Sequence, residues 1–248
     1  MSQYQGADGP ADDARPQDLE LYAALLTFTK QRLLYADEKL AQPPRNRVEL
    51  EVCALQVRVA LEQTVLSTLI TNRPGAATIT TAFVKKTAGE VRKMVSKINP
   101  NYWPVPFDFE KVEADSSYHW QMTEPDAPYL SEDEWGKAYG YCSSLLHAVN
   151  PYQYLDKSDS SKSGNQHHHE HVTKLSEYSR KIQRLLKNHQ IYLSETNYSL
   201  ICHVYEDASV KPSIQVYSRA EVAPAIPSAL DPPSGEQAAV RPATSSGP

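Results

Sequence analysis

The chain has 248 residues, 40% of them hydrophobic, and a formal net charge of -5 at neutral pH. That balance offers no general attraction to nucleic acid or anionic lipid, so any phosphate-binding site has to be a local patch. No run of about 18 apolar residues occurs, and no basic stretch leads into an apolar one near the start, which disfavours a membrane span and secretion; the expected setting is cytoplasmic.

Met1 to Pro16 is polar, carries Gly, Asp and Pro, and shows no apolar period, so it is expected to be a disordered leader. A single helical domain is expected over residues 17–222. Its first helix runs from Gln17 to about Ala41, with Leu21, Leu25, Phe28, Arg32 and Tyr35 near one side and Leu33, Leu34 and Leu40 broadening the apolar face. Gln42-Pro43-Pro44 ends it, because residues before proline avoid helical geometry. A second helix from Arg45 to about Thr71 places Val48, Val52, Leu55, Val59, Leu66 and Leu69 on one stripe, with Val57, Leu61 and Val65 on much of the rest. It is expected to be the central, most buried element.

After the turn Asn72-Arg73-Pro74-Gly75, a third helix is expected from about Thr80 to Ile98, with Phe83, Val84, Val91, Met94, Val95 and Ile98 inward. Its basic outer face, Lys85, Lys86, Arg92, Lys93 and Lys97, is read as solvated. Prolines recur through Asn99 to Phe107 and forbid a helix there, so Tyr102, Trp103 and Phe107 are expected to pin an extended loop to the core. Asp108 to Tyr129 reads as irregular apart from a short strand at Tyr118, His119 and Trp120.

Ser131-Glu132-Asp133-Glu134 is a capping-box pattern and marks a helix start. Trp135, Ala138, Tyr139, Cys142, Leu145, Leu146 and Val149 continue it to about Asn150, while Gly136, Gly140, Ser143, Ser144 and His147 form a second face of mostly small residues. Asp156 to Gln166 reads as a mobile loop, and a further helix is expected from about His168 to Lys187. Alternating segments Ile191 to Leu193, Ser199 to Tyr205 and Ser213 to Tyr217 make a two- or three-stranded antiparallel hairpin within 191–218. Residues 223–248, rich in Pro, Ala, Ser and Gly, are expected to be a disordered tail. The expected fold class is therefore mainly α: a helical bundle of about five helices with a small C-terminal antiparallel β-hairpin and disordered ends.

Cys53, Cys142 and Cys202 sit singly in apolar segments and are read as reduced core residues, neither a disulfide framework nor a zinc site. His167 to His171 sets two histidines four apart, a spacing that a metal could bridge, but no second ligand group and no His-Glu-x-x-His pattern accompanies it. A solvated polar run is the preferred account, and no metal or other cofactor is expected. Walker-type loops, dinucleotide fingerprints and Gly-x-Ser-x-Gly elbows are absent, which disfavours those nucleotide-dependent enzymes and serine hydrolases.

Arg184 and His189 are the pair most suited to chemistry, because a guanidinium can stabilise charge developing on a phosphodiester while an imidazole titrating near neutrality moves a proton. Arg184-Leu185-Leu186-Lys187-Asn188-His189 resembles the arginine-x4-histidine motif of HEPN domains. Leu55 to Glu62, containing Arg58-Val59-Ala60-Leu61-Glu62, is similar to a helix common in that superfamily, and Cys142 to Tyr152 has the look of a motif from bacterial relatives. The resemblance implies a helical bundle of the kind found in bacterial toxins, toxin–antitoxin systems and antiviral defence proteins, many of them metal-independent endoribonucleases acting as dimers. It departs from that pattern at Leu185, where a polar residue is usual. Catalysis would then rest on Arg184 and His189, with Arg58, Glu62, His147 and Asn150 as a second constellation. The plainer account makes Arg184 a helix-terminal cation, His189 a cap, Arg58 with Glu62 an ion pair, and His147 a core histidine. Two functions follow as expectations: an RNA-binding protein that cuts RNA as a homodimer, or a non-catalytic module gripping a partner protein by the small helix face or the proline-aromatic loop.

Overall fold

The computed structural model describes residues 16–42, 46–72, 86–114, 117–147, 164–193, 198–207 and 209–218, with 113–114, 117–120 and 164–167 described by backbone alone. Outside them lie the expected leader up to Arg15, the Arg73-Pro74-Gly75 turn, the start of the third helix with Phe83 and Val84, Val149 and Asn150, most of the expected loop after Asp156, and the tail.

Five helices are described: α1 (Pro16–Ala41), α2 (Arg47–Thr71), α3 (Ala88–Ile98), α4 (Glu132–Leu146) and α5 (Gly164–Lys187). The strands are β1 (Val105–Pro106), β2 (Asp108–Ala114), β3 (Ser117–Thr123), β4 (Asn188–Tyr192), β5 (Tyr198–His203) and β6 (Ser213–Ser218). Helix α2 is central and packs against each of the other four described helices. Asn46 caps its start, accepting from the Glu49 amide at 3.0 Å. Its second half buries Thr64, Ser67, Thr68 and Thr71, which is tolerable because each hydroxyl donates to a carbonyl three or four residues back.

The apolar stripes of α1 and α2 are oriented differently from the expectation. In α2 the core side is Leu50, Cys53, Ala54, Val57, Ala60, Leu61 and Val65, while Val48, Leu55 and Leu66 of the expected stripe are exposed and Val52, Val59 and Leu69 half-buried. In α1 the core side is Tyr22, Leu26, Leu33, Ala36 and Leu40, and Leu21, Phe28 and Tyr35 are exposed. Both helices are apolar on more than one side, so periodicity alone could not decide which side the core takes.

Helix α3 starts later than Thr80: Lys86 and Thr87 are not helical, and Thr87 with Glu90 forms a capping box. The expected capping box of α4 is present, Ser131 Oγ accepting from the Glu134 amide at 3.2 Å. That helix stops at Leu146 with His147 as its C-cap. Asp108 to Thr123, read as largely irregular, is an antiparallel hairpin with Asp108 opposite Thr123. Its strands mix charged and apolar residues without a clean alternation, which hid the period.

The C-terminal strands form a larger sheet than a hairpin, in the order β1-β4-β5-β6 and antiparallel throughout. Proline-rich Val105–Pro106 is its edge strand, the position proline tolerates. Tyr102 and Phe107 are buried, and the Tyr102 hydroxyl donates to Glu132 at 2.5 Å, so this segment does pin itself to the core. Strand β4 begins at Asn188, directly after α5 ends at Lys187. The three cysteines are free and buried. Leu61 is 0% exposed at the centre of α2, so Leu61→Ala is expected to lower unfolding free energy by about 2–5 kcal/mol, measured by urea denaturation.

Candidate functional site: a cationic groove beside Arg184

The direct passage from α5 into β4 separates the two residues of the expected pair. Arg184, in the last turn of α5, is 37% exposed at its side chain. His189, the second residue of β4, pairs in register with Cys202 and Pro106 and is 0% exposed. The pair expected to share chemistry therefore does not meet at an accessible edge, and the reading of His189 as a cap is corrected too: it is a core residue of a sheet.

The hydrogen bonds of His189 fix its tautomer. Nδ1 lies 3.0 Å from the Leu186 carbonyl, which only accepts, so Nδ1 carries the proton. Nε2 then accepts from the Tyr22 hydroxyl at 2.6 Å. Both ring nitrogens are thus occupied, and burial pushes the imidazole pKa down to about 4. Burial likewise holds the Tyr22 phenol well above its ordinary value, keeping it a neutral donor.

Arg184 lines a groove of about 740 Å3 between α1 and α5. Leu26, Leu33 and Leu34 of α1, with Leu186 and Val204, give it apolar walls, and Ala127 and Pro128 close one side. Five cations, Lys30, Arg180, Lys181, Arg184 and Lys187, reach it against two carboxylates, Glu177 and Glu206. On α5 these charges fall at spacings of three and four, which puts them on one face.

The cations differ in how far they are already satisfied. Lys181 is held by Glu134 at 2.7 Å and Glu177 at 3.2 Å. Lys187 lies 3.5 Å from an exposed Glu206, and Lys30 donates to the Asp207 carbonyl. Among the described residues, Arg184 has only a loose approach of 3.9 Å to Asp108. Arg180 is exposed, bonds only the Ser176 carbonyl, and makes no ion pair among the described residues. Arg180 and Arg184 are consequently the groove's available cations, one helical turn apart. The aliphatic walls come from α1 and from the segment after β5, which no local sequence signal links to Arg184.

Arg58 and Glu62 do come together, at 3.2 Å, and the third member is Tyr139 of α4, absent from the expected set. Its hydroxyl donates to Glu62 at 3.0 Å and accepts from Arg58 at 3.0 Å, and the guanidinium lies 5.0 Å from the ring centroid. Trp135 stacks on Tyr139 at 5.0 Å. Burial is the main cause of a raised Tyr139 pKa, so the phenol stays protonated and the triangle is a closed structural network. His147 is exposed at the α4 C-cap, two turns or about 12 Å along the helix from Tyr139, so it belongs neither to this triangle nor to the core. Asn150 lies outside the described residues.

Comparison with protein-family models, with curated proteins and with solved structures gives no match. The HEPN resemblance therefore rests on the quoted residues alone. No helix among the described residues is long and apolar enough to cross a membrane. Nor do three or more His, Cys, Asp or Glu among them converge as metal ligands; His171 Nδ1 is 2.7 Å from the Tyr141 hydroxyl, and the side chain of His167 lies outside the description.

The buried imidazole makes stability depend on pH. His189 is neutral in the fold down to about pH 4 and takes up a proton near 6.5 when unfolded, so between those values the unfolded chain binds the extra proton. Stability is expected to fall as pH drops from about 6.5 to 4, by about 3 kcal/mol for this residue alone. Burial lowers the His203 pKa as well, in the same direction. The measurement is urea unfolding across that range for wild type and His189→Gln: the variant should lose the larger part of the decline, and identical pH profiles would remove His189 as its cause.

Proposed function

We propose that this chain is a HEPN-like helical bundle working as a non-catalytic interaction module, whose α1–α5 groove takes an acidic, amphipathic segment of a partner protein. The observation that carries this reading is the groove itself: about 740 Å3, lined by five cations against two carboxylates and by apolar side chains. An amphipathic helix laid into such a groove buries its apolar side on the exposed lining residues Leu34, Pro128 and Tyr205, and sets its carboxylates against Arg180 and Arg184. The charge complementarity raises the association rate and sets orientation, while the apolar area supplies most of the affinity. Only one aromatic side chain, Tyr205, lines the groove. Single-stranded RNA is ordinarily held by several such stacking platforms, so a protein segment is the better fit.

A second reading, an RNA-binding protein with endoribonuclease activity, is favoured by one observation: Arg184 faces the groove beside Arg180, where a phosphate could be neutralised. In that reading Arg184 would stabilise phosphate charge, and His189 would have to leave the core to move a proton, since its ring is enclosed.

The test is fluorescence anisotropy with two probes, a labelled amphipathic Leu/Glu helix and a labelled single-stranded RNA. The peptide is expected to bind with micromolar affinity, weakened about tenfold or more by Arg180→Glu with Arg184→Glu, and progressively by added salt. RNA bound more tightly than peptide, through the same two arginines, would replace the module with the second reading. RNA degraded in chelator by wild type, but not by a His189→Gln variant of unchanged melting temperature, would establish the ribonuclease.

A further inference from the structure

The β2–β3 ribbon stands at the groove's edge, tied at both stems to the end of α5. Before β2, the Phe107 amide donates to the Asn188 carbonyl at 3.0 Å, and beyond β3 the Leu130 amide donates to the Lys181 carbonyl at 3.1 Å. Arg184 falls between these two ties in the chain, and Ala127 and Pro128 of the second stem line the groove. Among the described elements the two strands pack chiefly on each other. A ribbon of two strands without close packing on a helix or a third strand is marginally stable, so small forces decide where it rests.

Strand alternation separates the ribbon's two faces. Phe107 is buried and Phe109 meets it edge-on at 5.1 Å, so both lie on one side. Asp108 turns the other way, toward Arg184 at 3.9 Å, and the register puts Glu110, Gln121 and Thr123 on the same face as Asp108. Glu110 is exposed and makes no hydrogen bond or ion pair among the described residues. Arg180, one helical turn before Arg184, is likewise exposed and without an ion pair among them. The two spacings agree: two residues of strand separate Asp108 from Glu110 by about 6.6 Å, and four residues of helix separate Arg184 from Arg180 by about 6 Å. The ribbon thus carries two carboxylates at the pitch of the groove's two available guanidiniums.

We propose that the β2–β3 ribbon is an autoinhibitory strap: it swings onto α5, setting Glu110 on Arg180 as Asp108 closes on Arg184, and an acidic partner segment has to displace it. The inference rests on the interaction-module reading, whose groove it shares, and adds that the chain carries its own competitor for the two arginines. Both pairs form at the surface, where an ion pair shifts an equilibrium only a few-fold, so the strap lowers affinity without abolishing binding. It favours partners that present two carboxylates at this pitch, because a single charge replaces only half of what the strap supplies.

Two measurements on the full chain test it. In fluorescence anisotropy with the labelled Leu/Glu helix, Glu110→Gln is expected to tighten binding about threefold. Glu113→Gln makes the same charge change on the ribbon's opposite face and should leave affinity unchanged. In amide hydrogen exchange without peptide, Arg180→Gln should speed exchange across β2 and β3 about threefold, although Arg180 bonds neither strand as the structure stands. If Glu110→Gln loses its far-UV circular dichroism signal, Arg180→Gln carries the test alone. Peptide bound equally by wild type and Glu110→Gln, with ribbon exchange indifferent to Arg180→Gln, overturns the strap and leaves the groove reading intact. Equal tightening by Glu110→Gln and Glu113→Gln marks a general charge effect and overturns it too. Peptide bound by neither wild type nor Glu110→Gln, with ribbon exchange quickened by Arg180→Gln, overturns the groove reading while upholding the contact of Glu110 with Arg180.

Discussion

One hydrogen bond in the core, from the Tyr22 hydroxyl to His189 Nε2 at 2.6 Å, links the first turns of α1 to the inner strand of the sheet, 167 residues away in sequence. It is bought with the burial of two polar rings, which is tolerable only because every polar atom of the pair is satisfied: the Leu186 carbonyl takes the other imidazole proton. Breaking either bond would strand a buried donor or acceptor, so α1, the end of α5 and β4 are held as one unit. Asn99 repeats the device on another side of the core, donating to Asn72 at the end of α2 and to the Tyr192 carbonyl in β4.

That unit places the groove. Because α5 runs directly into β4, its last two turns are anchored at their C-terminal end and cannot swing away from α1. The cations of those turns also sit near the negative end of the helix dipole, which favours them there. With Lys181 tied to Glu134 and Glu177, the local charge available to a ligand is concentrated on Arg180 and Arg184, in a protein whose overall charge is -5. The groove thus combines local positive charge with apolar lining on a chain of net negative charge, a combination that the exposed lysines in and just before α3, Lys86, Lys93 and Lys97, do not share with it.

The sheet and the helices meet through side chains that a local reading cannot rank. Arg58, Glu62 and Tyr139 close a network between α2 and α4, and Arg92 lies over Trp135 while bonding Glu132, so charges that look like candidates for chemistry are spent on holding helices together. A guanidinium over an aromatic face is a packing element as much as an ionic one. Arg184 differs because, among the described residues, its nearest carboxylate is 3.9 Å away and its side chain is partly exposed.

The helices, the Ser131–Glu134 capping box and the buried thiols were legible in the sequence, since apolar period, a capping box and lone cysteines in apolar runs are local properties. Arg184 was legible as a cation at a helix end for the same reason. What the sequence could not decide was direction. Helices α1 and α2 are apolar on two sides, and only the arrival of α5 and the sheet determines that Tyr22, Leu26, Leu61 and Val65 turn inward while Phe28 and Leu55 turn out. The same long-range pairing put Val105–Pro106 at the sheet edge and His189 opposite Cys202. A histidine five residues beyond an arginine reads identically whether it faces solvent or core, and tertiary packing alone, by enclosing the ring and occupying both its nitrogens, assigned it to the core.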